Sequence, residues 1–174
     1  GKGLPAAFLM SSARTIFRVI AATEQSPSNV LKKVNDYLIE DLPFSRFITL
    51  IYLIIDPQTG HIVMSNAGHM WPMQKTLNSV NQIKHDPSFP LGIQKDDYVD
   101  YNILLEKGEK LILYSDGVSE AANSKEQFFD ESHILASLNK PDGGMELIYK
   151  DLKIFTGSAP QNDDITMVEI DRIS

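Results

Sequence analysis

The feature that most constrains this chain is the stretch Lys-Leu-Ile-Leu-Tyr-Ser-Asp-Gly-Val at residues 110–118. Its consecutive apolar and aromatic residues are typical of a strand that is covered on both faces. The strand is expected to stop at Asp116-Gly117, because glycine adopts backbone angles that are closed to other residues. A carboxylate therefore stands at the end of a core strand, where it would either cap a local turn or serve as a metal ligand or acid/base group.

Length, charge and cysteine content limit the possible functions. The 174 residues suffice for a sizeable core, and we expect a single domain over residues 1–174. The formal charge of −7 argues against nucleic acid as a partner, because phosphates would be repelled. The absence of cysteine excludes disulfides and thiolate zinc sites, and it is compatible with the cytoplasmic location that we expect.

Two amphipathic helices are predicted in the N-terminal quarter. Apolar residues recur at spacings of about four over residues 4–23 and again over residues 26–42. Ser26-Pro27 supplies an N-cap followed by proline at the first helical position, and Pro43 ends the second helix. We expect the two helices to form an antiparallel pair on one face of a sheet.

A hairpin is predicted next. Residues 46–55 are apolar on both faces, which favours a strand that is covered on both sides. A turn at residues 56–60 leads into a partner strand at residues 61–66, so the sheet is at least partly antiparallel.

The remaining elements follow from apolar periodicity and turn residues. In chain order they are a surface loop at residues 76–90, a hairpin of residues 98–105 with residues 110–118, a flap near Asp116 at residues 119–130, helices at residues 131–139 and 144–156, and a last strand at residues 165–170.

Carboxylates stand at the ends of two predicted strands. Asp116 follows one strand, and Asp163-Asp164 precede the last one. If these strands are antiparallel neighbours, their carboxylates lie at the same end of the sheet. Such a cluster is costly unless a cation binds it, and Mg²⁺ and Mn²⁺ prefer oxygen ligands. The spacing alone is equally compatible with two unrelated turns.

His69 is a further candidate, at the end of the strand at residues 61–66. It follows Asn66, Ala67 and Gly68, whose small side chains permit close approach of the backbone. A histidine in this position is either a hydrogen-bonded structural residue or a contact for substrate.

Five short motifs resemble, in their order, one protein family. They are Gly-Lys-Gly-Leu-Pro-Ala-Ala at residues 1–7, Asn-Ala-Gly-His at 66–69, Phe-Pro-Leu-Gly at 89–92, Leu-Tyr-Ser-Asp-Gly-Val at 113–118 and Asn-Asp-Asp-Ile-Thr at 162–166. Together they resemble the bacterial SpoIIE-type serine phosphatases, the metal-dependent PP2C-like family that includes sigma-factor regulators of the RsbU kind. Each motif alone is unspecific, but the five in this order are highly specific. Together they span essentially the whole chain.

The resemblance implies an α+β fold, an α-β-β-α sandwich of two antiparallel sheets packed between helical layers. It also implies hydrolysis of phosphoserine or phosphothreonine on a regulatory protein, such as an anti-sigma-factor antagonist. Two Mn²⁺ or Mg²⁺ ions would activate a water, so that no nucleophilic side chain is required. Asp116 matches a metal ligand, with Gly117 adjacent, and Asp163 matches another, with Asp164 beside it as a further candidate.

The sequence departs from the family pattern at its start. The family normally has Asp-x-Ser just before Gly-Lys-Gly, and that aspartate bridges the two metals; a further acidic motif and the first strands lie upstream. We therefore expect the C-terminal portion of such a domain, with about half of the metal site, weak activity by itself, and uncovered sheet edges that favour a homodimer or aggregation.

Two readings of function remain open. In the first, the complete protein is a phosphatase with an upstream sensor or receiver domain. In the second, a PP2C-like body binds a partner without hydrolysing anything. The sequence upstream of Gly1 would discriminate between them.

Overall fold

The computed structural model describes residues 4–41 and 46–173, and the side chains of residues 9–40 and 46–173. The described residues form two compact units, each with its own antiparallel sheet. The first unit contains residues up to His69 together with Asp86–Leu104, and the second contains Met70–His85 and the residues from Leu105 onward. The expectation of a single domain stays a prediction.

Five helices and seven strands are assigned in the described residues. In chain order they are α1 (Leu4–Ala21), α2 (Pro27–Asp41), β1 (Leu50–Ile55), β2 (His61–Ala67), β3 (Met73–Lys75), β4 (Val80–Gln82), β5 (Tyr101–Leu104), β6 (Lys110–Tyr114), α3 (Asp116–Ser119), α4 (Glu131–Leu138), α5 (Met145–Thr156) and β7 (Met167–Asp171). None of the helices in residues 4–41 and 46–173 is long and apolar enough to cross a membrane.

The first unit packs α1 and α2 on a sheet with the strand order β1-β2-β5. The predicted apolar stripe of α2 is confirmed, because Val30, Leu31, Val34 and Leu38 are all buried. The predicted N-cap is confirmed as well, since the Ser26 hydroxyl accepts a hydrogen bond from the Asn29 amide at 3.2 Å. Gly1–Gly3 and Pro43 lie outside the described residues.

The strand predicted at residues 46–55 is shorter and more exposed than expected. It begins at Leu50, and only an isolated bridge between Ile48 and Leu91 precedes it. Ile54 and Ile55 are each 36% exposed, so the prediction that both faces are covered was wrong. The physical reason is position, because these two residues end an edge strand and lead directly into the exposed turn at residues 56–59.

The second unit places β6 inside a sheet with the order β4-β3-β6-β7. Leu111 and Ile112 point to opposite faces of β6 and are both fully buried, which confirms a strand covered on both faces. Ile112 belongs to a core shared with α4 and α5, represented there by Ile134 and Leu152. The two predicted C-terminal helices are confirmed, with α4 and α5 close to the expected bounds.

Two predictions about strand pairing were wrong. Residues 98–105 and 110–118 do not form a hairpin, because β5 pairs with β2 and β6 pairs with β3 and β7. Residues 76–90 are not only a loop, because they contain β4, which pairs with β3. Alternating apolar residues indicate a strand but not its partner, and three-residue strands leave too short a pattern to detect.

The connection between α4 and α5 is fastened to the sheet by two charged side chains. Lys75 Nζ donates to the carbonyl oxygens of Lys140 at 2.9 Å and Gly143 at 3.1 Å. Glu169 accepts a hydrogen bond from the Met145 amide at 2.6 Å, which caps the first turn of α5. Its other oxygen lies 2.7 Å from Lys110 Nζ. Burial alone would raise the pKa of the Glu169 carboxyl, but the hydrogen bonds from Lys110 and Met145 outweigh it and hold that pKa below its usual value.

We predict that Glu169→Gln destabilises the protein at neutral pH and matters less in acid. Because the folded-state pKa is lowered, the stability contributed by ionised Glu169 is present above its unfolded pKa and is lost as the pH falls through the folded pKa. At pH 7 we expect a loss of about 1 kcal/mol in the free energy of unfolding, since partial exposure screens the ion pair.

Urea unfolding at a series of pH values from 7 to 3 measures the effect, with the exposed Glu106→Gln as the matched control. A difference between wild type and Glu169→Gln that stays constant with pH would contradict the assignment.

Candidate metal centre

The candidate metal centre begins where the β6–β7 ladder ends. The pairing of Tyr114 with Met167 continues by one step, because the Ser115 amide donates to the Thr166 carbonyl at 3.0 Å. The Ser115 hydroxyl accepts from the Thr166 amide at 3.0 Å and donates to the Asp164 carbonyl at 3.0 Å. Ser115 directly precedes Asp116. Its hydrogen bonds thus connect the start of the Asp116 segment to the segment that carries Asp163 and Asp164.

Gly117 allows the two acidic segments to come into direct backbone contact. A Cβ atom added to Gly117 would lie 2.2 Å from the Asp164 carbonyl oxygen and 2.9 Å from its carbonyl carbon. Only a residue without a side chain fits this approach. Gly117 also donates its amide to Asp116 Oδ1 at 2.9 Å, which orients that carboxylate at the start of α3.

Asp163 is oriented by its own loop. Its Oδ1 accepts the Asp164 amide at 2.8 Å, and its carbonyl oxygen accepts from Gln161 Nε2 at 2.8 Å. Asp116, Asp163 and Asp164 are all exposed, so these carboxylates remain open to solvent and to a cation. The structure therefore gathers the residues of the two predicted acidic sites at one end of the β6–β7 pair.

The carboxylate oxygens of Asp116 and Asp163 suit one part of a site for a hard cation. The hydrogen bonds found for Asp116 and Asp163 within residues 4–41 and 46–173 occupy Oδ1, which leaves Oδ2 of each for a metal. Carboxylate oxygens are the ligands that Mg²⁺ and Mn²⁺ prefer. Across the described part of the chain, however, no group of three or more His, Asp or Glu side chains is arranged to enclose an ion. The metal role of Asp116, Asp163, Asp164 and Gly117 stays a prediction.

His69 lies in the first unit, on a tight turn after β2. Asn66 holds this turn at both ends, because its side chain accepts the His69 amide at 2.8 Å and donates to the His69 carbonyl at 3.0 Å. His69 Nδ1 is 3.2 Å from the Thr49 hydroxyl. A Cβ on Gly68, whose φ is +66°, would lie 2.5 Å from a ring carbon of Pro90. These contacts give His69 a structural position, and its contact with substrate stays a prediction.

Sequence reasoning missed two features of this region. The first is that the Ser115 hydroxyl both donates and accepts a hydrogen bond. The position of Ser115 between a core strand and Asp-Gly could have suggested this. A cavity of about 200 Å³ beside Asp163 is the other. The cavity is formed by segments that are distant in sequence, so no local pattern predicts it. The stretch predicted as a flap, residues 119–130, does lie here, and it supplies Ala121, Ala122 and Phe128 to the cavity wall.

Comparison with known proteins identifies what the chain resembles. The family model described as stage II sporulation protein E (SpoIIE) matches residues 1–173. Among curated proteins, the phosphoserine phosphatase RsbU of Bacillus subtilis is 34% identical over 124 residues, which are 69% of this chain and 36% of RsbU. The phosphoserine phosphatase RsbP of the same organism is 26% identical, over 71% of this chain and 32% of RsbP. The chain thus spans about a third of the length of these relatives.

Solved structures share the fold. The SiaA-PP2C domain of Pseudomonas aeruginosa has a TM-score of 0.82 at 20% identity, with coverage of 98% of this chain and 71% of that one. A structure of the PP2C phosphatase domain of SpoIIE from B. subtilis, with a fragment of its regulatory domain, has a TM-score of 0.76 at 22% identity and covers 97% of this chain and 51% of that one. The predicted α+β, PP2C-like fold with two antiparallel sheets flanked by helices is confirmed.

We predict that Gly117→Ala destabilises the protein although alanine is the better helix former. Alanine alone would stabilise a helical position by up to about 1 kcal/mol. The clash with the Asp164 carbonyl should reverse the sign and give a net loss of about 1–3 kcal/mol, the usual cost of overpacking. Urea unfolding without metal measures the change, and an increase in stability would show that the segments carrying Asp116 and Asp164 do not meet in solution.

Proposed function

Because the chain belongs to the stage II sporulation protein E family, we propose that it is part of a metal-dependent phosphatase that acts on phosphoserine or phosphothreonine in a protein. The observation that carries this proposal is the contact between Asp116-Gly117 and Asp163-Asp164 at one end of the β6–β7 pair. The two curated relatives named above are themselves called phosphoserine phosphatases. The PP2C-like fold of the chain supports the same reaction.

The proposed ligands are Asp116 and Asp163, with Asp164 and the Gly117 backbone as neighbouring candidates. When bound, Mn²⁺ or Mg²⁺ would lower the pKa of a coordinated water and offset negative charge on the phosphoryl oxygens. The contribution of the chain is to hold the carboxylates in place. Gly117 N–H fixes Asp116 and the Asp164 amide fixes Asp163. The chain has no cysteine, and no nucleophilic side chain is needed.

The proposed substrate is a phosphorylated regulatory protein of the anti-sigma-factor antagonist type. We further propose that residues 1–174 form one portion of a cytoplasmic phosphatase domain, that an upstream sensor or receiver domain controls it in the complete protein, and that it pairs as a homodimer. His69 is proposed as a substrate contact. The formal charge of −7 supports a metal-assisted site, because an unassisted acidic surface would repel a phosphoryl group.

We predict that Asp116→Asn in the complete protein lowers turnover of a phosphoserine protein under Mn²⁺ by at least about a hundredfold, while the fold survives. Asparagine keeps the size of the side chain and removes the anionic oxygen. Loss of a residue that merely supports a metal ligand costs 10- to 100-fold, so loss of a ligand should cost at least as much.

Asp142→Asn is the matched control, because Asp142 is exposed in the turn between α4 and α5. Thermal unfolding without metal should be the same for both variants. Undiminished turnover by Asp116→Asn would remove the proposed role of Asp116.

A further prediction concerns the chain by itself. Residues 1–174 alone should turn over a phosphoserine protein more slowly than the complete protein at millimolar Mn²⁺, because Asp116 and Asp163 supply only part of a two-metal shell. Isothermal titration of each protein with Mn²⁺ should show one weak site for the chain and tighter binding for the complete protein. Equal rates and equal metal affinity would mean that the ligands within this chain are sufficient.

A further inference from the structure

The cavity beside Asp163 adjoins the candidate metal centre directly. Its walls come from three segments of the second unit: the stretch that follows α3, the last turn of α5, and the loop that precedes β7. Gly117 and Asp163 belong both to the cavity wall and to the candidate metal centre. A molecule held at the carboxylates would therefore have its neighbouring atoms at the mouth of the cavity.

The size and much of the lining of the cavity suit one apolar side chain. Leu152, which is only 1% exposed, lines the cavity together with Ala121 and Ile165. Phe128 also lines it and is 56% exposed, so an aromatic face stands open to solvent. An apolar cavity of about 150 Å³ accommodates a benzene ring, and this cavity measures about 200 Å³.

Polar groups form about half of the lining, so the cavity has an apolar side and a polar side. Glu120, Lys153 and Asp163 are its charged members, and Lys153 is the single cation among the described residues that line it. Lys153 Nζ lies 5.3 Å from the centre of the Tyr149 ring, which keeps the stem of this side chain along α5.

The wall formed by residues 121–128 is held in place by backbone hydrogen bonds. The Phe129 amide donates to the Ala121 carbonyl at 2.8 Å, and Ala122 forms a bridge with Phe128. The Asn123 side chain accepts the amides of Lys125 at 2.9 Å and Gln127 at 3.1 Å, which closes the turn between them. Because the wall is already ordered, little conformational entropy is lost there when a ligand binds.

We propose that this cavity is a specificity pocket, which receives one apolar side chain of the substrate protein close to the phosphoserine. This inference rests on the proposed function. An extended chain advances about 3.3 Å per residue, so a side chain one to three positions from a phosphoserine at Asp116 and Asp163 reaches the cavity mouth. The pocket would select substrates by sequence, whereas the carboxylates would hold the metal ions that supply the chemistry at the phosphoryl group of any of them.

A binding experiment tests the pocket without turnover. The protein is labelled with ¹³C at alanine methyl groups and, in the presence of Mg²⁺, titrated with unphosphorylated serine peptides that differ only in carrying Leu, Ala or Asp at positions flanking the serine; their phosphoserine forms are the substrates of the kinetic experiment. The leucine peptide should shift the methyl signals of Ala121, Ala122 and Ala159, which line the pocket, and leave Ala136 on α4 unmoved. Shifts of equal size for the three peptides, or none at the three pocket methyls, would overturn the proposal.

A kinetic experiment on the complete protein under Mn²⁺ tests what the pocket does. Ala159→Phe fills the cavity, and Ala136→Phe is the matched control on an exposed helical surface of the same unit. For the leucine peptide, kcat/KM should fall roughly tenfold or more with Ala159→Phe, the usual effect of losing one apolar contact, and stay unchanged with the control. Hydrolysis of the phosphoserine peptide that carries Asp, which places no apolar side chain in the pocket, should be the same in all three proteins.

The outcomes separate the two proposals. A wild-type protein that hydrolyses neither substrate overturns the proposed function, while the methyl shifts still decide whether the pocket binds. Loss of both activities to the same extent in Ala159→Phe, or of neither, overturns the specificity pocket. If Ala159→Phe does not fold, Phe128→Ala takes its place, because Phe128 is largely exposed and its removal should lower the preference for the leucine peptide over the alanine peptide.

Discussion

The contact of two backbone segments without an intervening side chain is the constraint on which the candidate site depends. Gly117 and Asp164 meet so closely that a single added carbon would overlap a carbonyl group. Ser115 secures the same junction with three hydrogen bonds to Asp164 and Thr166. Residues that stand far apart in the sequence therefore present their carboxylates from one rigid edge, and the β6–β7 ladder below them supplies the support.

The second unit provides this support through a core and a set of charged ties. Ile112 and Leu152 anchor the sheet to α5 by apolar contact, while Glu169 and Lys75 hold the chain at the start of that helix. The proposed pocket lies at the other end of α5, where its last turn meets the loop that carries Asp163. The candidate metal centre and the proposed pocket would thus share one scaffold, and they meet at Gly117 and Asp163.

The sequence predicts the elements well and their neighbours less well. Apolar periodicity suffices for α2, α4 and α5, because each packs one apolar face against its own core, and a continuous apolar run suffices for the core strand β6. The pairing of β5 with β2 was missed, since strand partners depend on contacts that alternation does not encode. Asp116 and Asp163 were predicted as candidates from motifs at strand ends, whereas the hydrogen bonds of Ser115 and the cavity arise only when distant segments meet.

The position of α5 has a mechanical consequence. A helix of 12 residues is a stiff rod about 18 Å long. The first amide of α5 donates a hydrogen bond to Glu169, and the last turn of α5 forms part of the cavity wall. A small tilt of α5 about its first turn displaces its last turn. A change at the Glu169 contact that tilted α5 would therefore move its last turn, which forms one wall of the cavity.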